Sequence, residues 1–166
     1  SALARYCHRK GATVTGSDGS HSVITDALVS EGMTVYLGHK KEHVNEESDL
    51  IIYSIAVSDT NPELAYARSR GITCLTYPEA LGLLTQEYTT IAVCGTHGKT
   101  TTTAMIASML TECGKSPTVI VGSLLAQGGT NFILGDSEYL VVEACEYRRS
   151  FLNLHPTHAV ITNIDE

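Results

Sequence analysis

The sequence predicts an α/β protein in two parts, and three observations carry that prediction. Short runs rich in Val, Ile and Leu alternate with segments whose apolar residues recur at helical spacing, the pattern of βαβ units around a mostly parallel sheet. One junction, Tyr88 to Lys115, reads as strand, glycine-bearing turn and helix in immediate succession. The composition over 166 residues, 43% hydrophobic and 17% charged with no Trp and two Phe, is that of an ordinary folded chain long enough to bury a core. The polar stretch Thr85 to Glu87 divides the parts into residues 1–86 and 87–166.

In the first part, SALARYCHRKG reads as a helix with Leu3, Tyr6 and Cys7 on one side and Gly11 as its stop. ATVTGSD follows as a strand ending in Gly16, Ser17 and Asp18. Dinucleotide-binding folds hold a ribose with an acid at such a tip, yet no glycine fingerprint precedes this one, and turn formation explains Asp18 equally well. Ser22 to Glu31 is expected to be a helix with Val23, Ala27 and Leu28 inward, and Met33 to Leu37 a strand. His39 and His43, four apart in GHKKEH, invite a metal reading. The missing HExxH glutamate and the intervening Lys40 and Lys41 favour a polar loop or a nucleotide contact instead. Asp49 to Val57 is apolar enough for a strand buried on both faces. Asn61 and Pro62 supply the cap and first position of a helix, and Ile72 to Leu75 is a short strand before a helix launched near Pro78.

In the second part, Ile91 to Cys94 form a buried strand and Gly95 and Gly98 let the backbone bend. Ile106, Met109, Leu110 and Cys113 mark one helical face, which Gly114 ends. This order gathers turn amides, the first helix amides and the Lys99 ammonium on one spot, an arrangement that holds a polyphosphate. The Thr100 hydroxyl is then available to a magnesium ion bridging the phosphates. GTHGKT departs from GxxxxGK[ST], because Val93 stands where the first glycine would be. The candidate phosphate-binding residues are Gly95, Thr96, His97, Gly98, Lys99, Thr100 and Thr101, with a bystander role open for His97.

Pro117 to Gly122 reads as another strand, and Gly128 to Asn131 as a tight hairpin or binding loop. YLVVEACE places Glu143 at a strand end, where an acid holds the metal opposite the loop. Glu146 is second, and a merely solvated carboxylate is the alternative. Arg148 and Arg149 steady an anionic substrate or sit on a surface turn, the turn being favoured. THAVITNIDE is expected to be a last buried strand. The chain opens inside a helix and stops on a strand with no covering helix, so both ends are expected to be cuts.

The formal charge of −7 argues against a general nucleic-acid surface. Five scattered cysteines without a CxxC pair are expected to be reduced. No apolar run approaches the ~18 residues of a membrane span, so no membrane insertion is expected and the cytoplasm is the expected compartment.

GTHGKTTTT, GGTNFILGDSEYLVVEACE, SFLNLHPTHAVITNIDE and the early TVTGSD together resemble the bacterial Mur ligases, over almost all 166 residues. The resemblance implies a Rossmann-like UDP-sugar domain over residues 1–86 and a central P-loop ATPase domain over residues 87–166, both truncated, with a third domain absent. It implies ATP-dependent ligation in peptidoglycan precursor synthesis, joining L-alanine to the lactyl carboxylate of UDP-N-acetylmuramate through an acyl phosphate. Lys99 and the amides from Gly95 to Thr101 would hold ATP, and Thr100 and Glu143 the Mg2+, with Lys99 and Glu143 as the catalytic pair. Thr130 and Asn131 would touch the UDP-sugar, with Asp18, His39 and Ser54 as further contacts. EACEYRRSF stands where many members show EADESDxSF, which puts the contacts around Cys145 to Arg149 in question. The competing readings are a ligase that attaches a recycled tripeptide to the same UDP-sugar, folylpolyglutamate synthase, and a nucleotide-binding module without catalysis. The GTN segment and early TGSD count against the second.

Overall fold

The computed structural model of the chain describes residues 1–122 and 131–164. It divides into two units, one of Ser1 and Leu3–Ala80, the other of Ala2 and the chain from Leu81 onward. The division falls within a helix, α4 (Tyr77–Gln86).

The first unit repeats one motif. β1 (Thr15–Asp18) and β2 (Thr34–Leu37) pair in parallel around the crossover helix α2 (Val23–Ser30). β3 (Leu50–Tyr53) and β4 (Thr73–Thr76) do the same around α3 (Pro62–Ser69). The described strands of this unit therefore form two two-stranded ladders, with strand tips Asp18 and Leu37 in register. Caps set the helix starts. Ser22 Oγ accepts the Thr25 N–H while Thr25 Oγ1 accepts the Ser22 N–H, a capping box with threonine in place of the usual glutamate. Asn61 Oδ1 accepts the amides of Glu63 and Leu64 at 2.9 and 3.2 Å, and Pro62 follows, as the sequence predicts. The opening helix α1 (Ala2–Arg9) buries Arg5, whose Nε–H is shared between both carboxylate oxygens of Glu31. Pairing is what makes burial of that charge tolerable.

Two expectations for this unit fail. Val23 is 80% exposed, and Thr25 is the buried position of α2, because the capping box turns its side chain inward. β3 is four residues long, half-buried rather than sheathed on both faces, because the chain turns at Ser54. There the Ser54 carbonyl accepts the Val57 N–H and Ser54 Oγ accepts the Ala56 N–H.

The second unit is built on β5 (Thr89–Cys94), β6 (Thr118–Ile120), β7 (Phe132–Ile133), β8 (Tyr139–Glu143) and β9 (His158–Ile161), in the order β7-β6-β8-β5-β9. The described strands are parallel except β7, which runs antiparallel to β6. Helix α5 (Lys99–Glu112) carries the chain from β5 to β6. Val93, Leu140, Val141 and Val142 are fully enclosed, as a central parallel sheet requires. The end of α4 is sewn to this sheet. Thr85 Oγ1 accepts the His155 N–H, Thr90 Oγ1 donates to the Thr85 carbonyl, and Gly82 lies so near Asn153 that a Cβ would sit 2.2 Å from its carbonyl oxygen.

Two further expectations are corrected here. The buried face of α5 is Thr103 and Ala107, with Ala104, against Val119 and Val121; Met109 is 65% exposed and Cys113 lies outside. Small side chains let the helix lie close to the strands, so the longer apolar ones are turned out. β9 is not a buried strand: among the described strands it pairs with β5 alone, leaving His158, Ala159 and Ile161 exposed. No helix of the described residues is long and apolar enough to cross a membrane.

Candidate active site

Three strand ends meet around the turn after β5. The register sets Val93 beside Glu143 of β8 on one flank and Cys94 beside Ile161 of β9 on the other. Connections leave β5 toward β6 on one side, while β8 crosses to β9 on the other, and such a reversal opens a crevice beyond the carboxyl ends of the strands. The turn itself is bent, with φ of 132° at Gly95 and 80° at Gly98. Gly98 opens α5, the Thr102 N–H donating to its carbonyl at 2.9 Å. The amides of a first helical turn have no acceptor inside the helix, which suits an anion.

Lys99 folds back over this turn. Its Nζ donates to the carbonyls of Gly95 and Thr96 at 2.6 and 3.2 Å and to Glu146 Oε1 at 3.2 Å. A hydrogen bond from its own backbone, and then the Lys99 ammonium, hold the Glu146 carboxyl below the ordinary carboxylate value. Next along α5, Thr100 Oγ1 donates to Glu143 Oε2 at 3.1 Å, and the same oxygen accepts the Gly122 N–H at 3.0 Å. A hydroxyl and a carboxylate touching at the mouth of the turn are the hard oxygen donors that magnesium takes, and the ammonium beside them is what a phosphate takes. Thr96, His97 and Thr101 are exposed around the same turn. The His97 amide and carbonyl are engaged by Asn163 and Thr162, two residues that the sequence reading did not single out. Their sequence signals are a polar Thr-Asn pair directly after an apolar strand and their place in ITNIDE, a stretch that carries the family resemblance without a role for either residue.

Arg148 and Arg149 lie exposed in the short 3₁₀ segment Tyr147–Asn153, both with left-handed φ, 49° and 57°, and the Arg148 guanidinium rests over the Tyr147 ring. The Asn131 carbonyl accepts the Val121 N–H, one residue before the Gly122 that binds Glu143. Thr130 and the paired glycines lie outside the described residues.

The remaining candidates belong to the first unit, at the carboxyl ends of its strands. Asp18 closes β1, accepts the Ser20 N–H through Oδ1, and lines a cavity of about 310 Å³ with Ser20, His21, Tyr36 and Leu37. This is within the ~300–1,000 Å³ typical of small-molecule sites. His39 follows β2 and meets Ser17 Oγ at 3.1 Å. Ser54 follows β3, in the other ladder. Sequence reasoning passed over Glu63, the residue that organises this region. Its carboxylate receives the Ser17 hydroxyl and the Lys40 amide and lies 3.0 Å from His43 Nδ1, while the His43 ring stacks on Tyr36. Among the described residues no group of three His, Cys, Asp or Glu is arranged to hold a metal ion.

Residues 1–89 match the Mur ligase family, catalytic domain, and residues 93–166 the Mur ligase middle domain. The chain belongs to the Mur ligase family. Within it, the UDP-N-acetylmuramate--L-alanine ligase of Caldicellulosiruptor saccharolyticus is 46% identical over 166 residues, 99% of this chain and 36% of that protein. The crystal structure of the UDP-N-acetylmuramate-alanine ligase MurC from Thermotoga maritima superposes with a TM-score of 0.88 at 32% identity, covering 98% of this chain and 38% of that one. A murein peptide ligase from Psychrobacter arcticus follows at 0.86 and 27%, covering 99% and 40%. The chain thus spans a little over a third, 36%, of the length of the curated relatives it matches.

Proposed function

We propose that this chain is the sugar-binding and nucleotide-binding part of a ligase that joins L-alanine to the lactyl carboxylate of UDP-N-acetylmuramate, using ATP, in peptidoglycan precursor synthesis. The observation that carries the reading is the meeting of Lys99, the bent Gly95–Gly98 turn and the Thr100–Glu143 pair at adjoining strand ends. The UDP-sugar contacts are assigned to Asp18, His39, Ser54, Thr130 and Asn131. The turn from Gly95 to Thr101 takes the phosphates of ATP, and Thr100 with Glu143 takes Mg2+.

ATP supplies the phosphoryl group that makes the carboxylate an acyl phosphate open to the amine, and Mg2+ supplies charge that neutralises the phosphates. The chain's own residues then act by position and charge, which is most of what phosphoryl transfer asks of a protein. Lys99 donates to three oxygen acceptors and would exchange them for phosphate oxygens. Glu143, fixed by the Gly122 amide, keeps its oxygen on the Thr100 side of the turn. Both the UDP-sugar and ATP are cytoplasmic metabolites, and the reading places the reaction there.

Phosphate release from ATP by the full-length parent ligase tests this directly, since the part of it described, 36% of the length of its relatives, is not expected to ligate alone. With UDP-N-acetylmuramate present, release is expected with L-alanine and not with the tripeptide. Release with the tripeptide alone favours the recycling ligase, a reading supported by the likeness to the murein peptide ligase, and release with neither overturns both.

A further inference from the structure

The turn after β5 is held from one side by two side chains that leave the sheet at the end of β9. The Thr162 N–H donates to the Cys94 carbonyl at 2.9 Å and so continues the β5–β9 ladder past the last paired residues. Its Oγ1 lies 3.1 Å from that same carbonyl and 2.6 Å from the His97 carbonyl. A hydroxyl has one proton, and the shorter contact marks the His97 carbonyl as its main acceptor. Asn163 Oδ1 accepts the His97 N–H at 3.0 Å. Both backbone groups at the tip of the turn are thus bound by side chains 65 and 66 residues further along the chain. Neither peptide flanking His97 can rotate without breaking one of these bonds. Gly95 belongs to the same arrangement. A Cβ there would stand 2.1 Å from Thr162 Oγ1 and 2.8 Å from Asn163 Oδ1, so the glycine admits the two side chains as well as the turn's positive φ.

We infer that Thr162 and Asn163 are positioning residues that set the shape of the candidate phosphate loop. By fixing the peptides on either side of His97 they fix where the remaining loop amides and the Lys99 ammonium point, so the loop meets a triphosphate already ordered. Preorganisation of this kind strengthens binding by removing the cost of ordering. The inference rests on the reading of this turn as the nucleotide site, and it assigns the effect to ATP and not to the UDP-sugar.

The test compares Thr162→Val, which keeps the shape and removes the hydroxyl, with Thr162→Ser, which keeps the hydroxyl, and with Asn163→Ala. In the full-length parent ligase, ATP·Mg affinity is measured by titration calorimetry, the KM values for ATP and UDP-N-acetylmuramate by phosphate release, and folding by thermal melting. Loss of one hydrogen bond of this type is expected to weaken ATP binding roughly tenfold in Thr162→Val and in Asn163→Ala. The KM for the UDP-sugar stays unchanged, and Thr162→Ser returns ATP affinity to the unaltered level. Equal ATP affinity in Thr162→Val and the unaltered protein overturns the inference alone. So does an equal loss in Thr162→Val and Thr162→Ser, or a parallel rise in both KM values, which is what a merely structural defect gives. An unaltered protein that binds no ATP removes the nucleotide reading together with the inference.

Discussion

On the proposed reading, a nucleotide entering the turn would have to compete for Lys99, because its ammonium already rests on two carbonyls and on Glu146. Glu146→Gln is therefore expected to tighten ATP binding several-fold, read by titration; weaker binding would mean that Glu146 helps to hold the ligand. The sign of the pH effect follows from the lowered Glu146 carboxyl: the pair is intact above the ordinary carboxylate range and is lost as pH falls through the lowered value. The gain from Glu146→Gln is thus constant around neutral pH and shrinks in acid. Thr103 offers a contrasting case. It is enclosed on the inner face of α5 and its Oγ1 has no hydrogen-bond partner, so Thr103→Val is expected to be neutral or to stabilise by about 1 kcal/mol, seen as an unchanged or raised Tm. Lys99, Thr100 and Glu143 were legible in the sequence, since a lysine and threonine at a strand-turn-helix junction have a local signature. Glu63, Thr162 and Asn163 were not, because each acts on residues 20 or more positions away, and no short pattern announces such a contact.

At the scale of elements, starts were easier to read than faces. Asn61–Pro62 and Ser22 announce their helices through local hydrogen bonding that any chain of that sequence can form. The face of α5 depends on what it packs against, and closeness to Val119 and Val121 selected threonine and alanine over Met109. The length of β3 was overread for a similar reason: apolar residues run on through Val57, but the Ser54 turn ends the ladder. The clearest prediction here concerns Gly82 in α4. A methyl group there meets the backbone of Asn153, its carbonyl oxygen at 2.2 Å and carbonyl carbon at 3.1 Å, so Gly82→Ala is expected to destabilise the protein by about 1–3 kcal/mol despite alanine's better helix propensity. A rise in Tm would show that the α4 contact is looser than described.

The chain comprises two α/β units, and its α/β character was visible in the alternation of strands and helices, whereas the split of the first unit's strands into two ladders was not. Strand pairing is decided across the chain, and period alone does not encode it. If Lys99 serves ATP and Asp18 the UDP-sugar, substitutions at the two positions are separable. Lys99→Ala is expected to abolish ATP binding and spare the UDP-sugar, Asp18→Asn to raise the KM for the UDP-sugar and spare ATP affinity, and the double variant to combine both defects additively. Cross-effects of either single variant on the other ligand would count against separate sites.

The marginal place of β9 bears on how the protein comes into being. The inner strands β5, β8 and β6 precede it in the chain, and it joins them by pairing with β5, Cys94 with Ile161, 67 residues further on. Distant pairings of this sort form slowly. A chain emerging from the ribosome can therefore assemble the middle of the sheet while the backbone beyond Cys94 is still without its keeper, so the bent shape of that turn should be acquired as a late event of folding, after the sheet has formed.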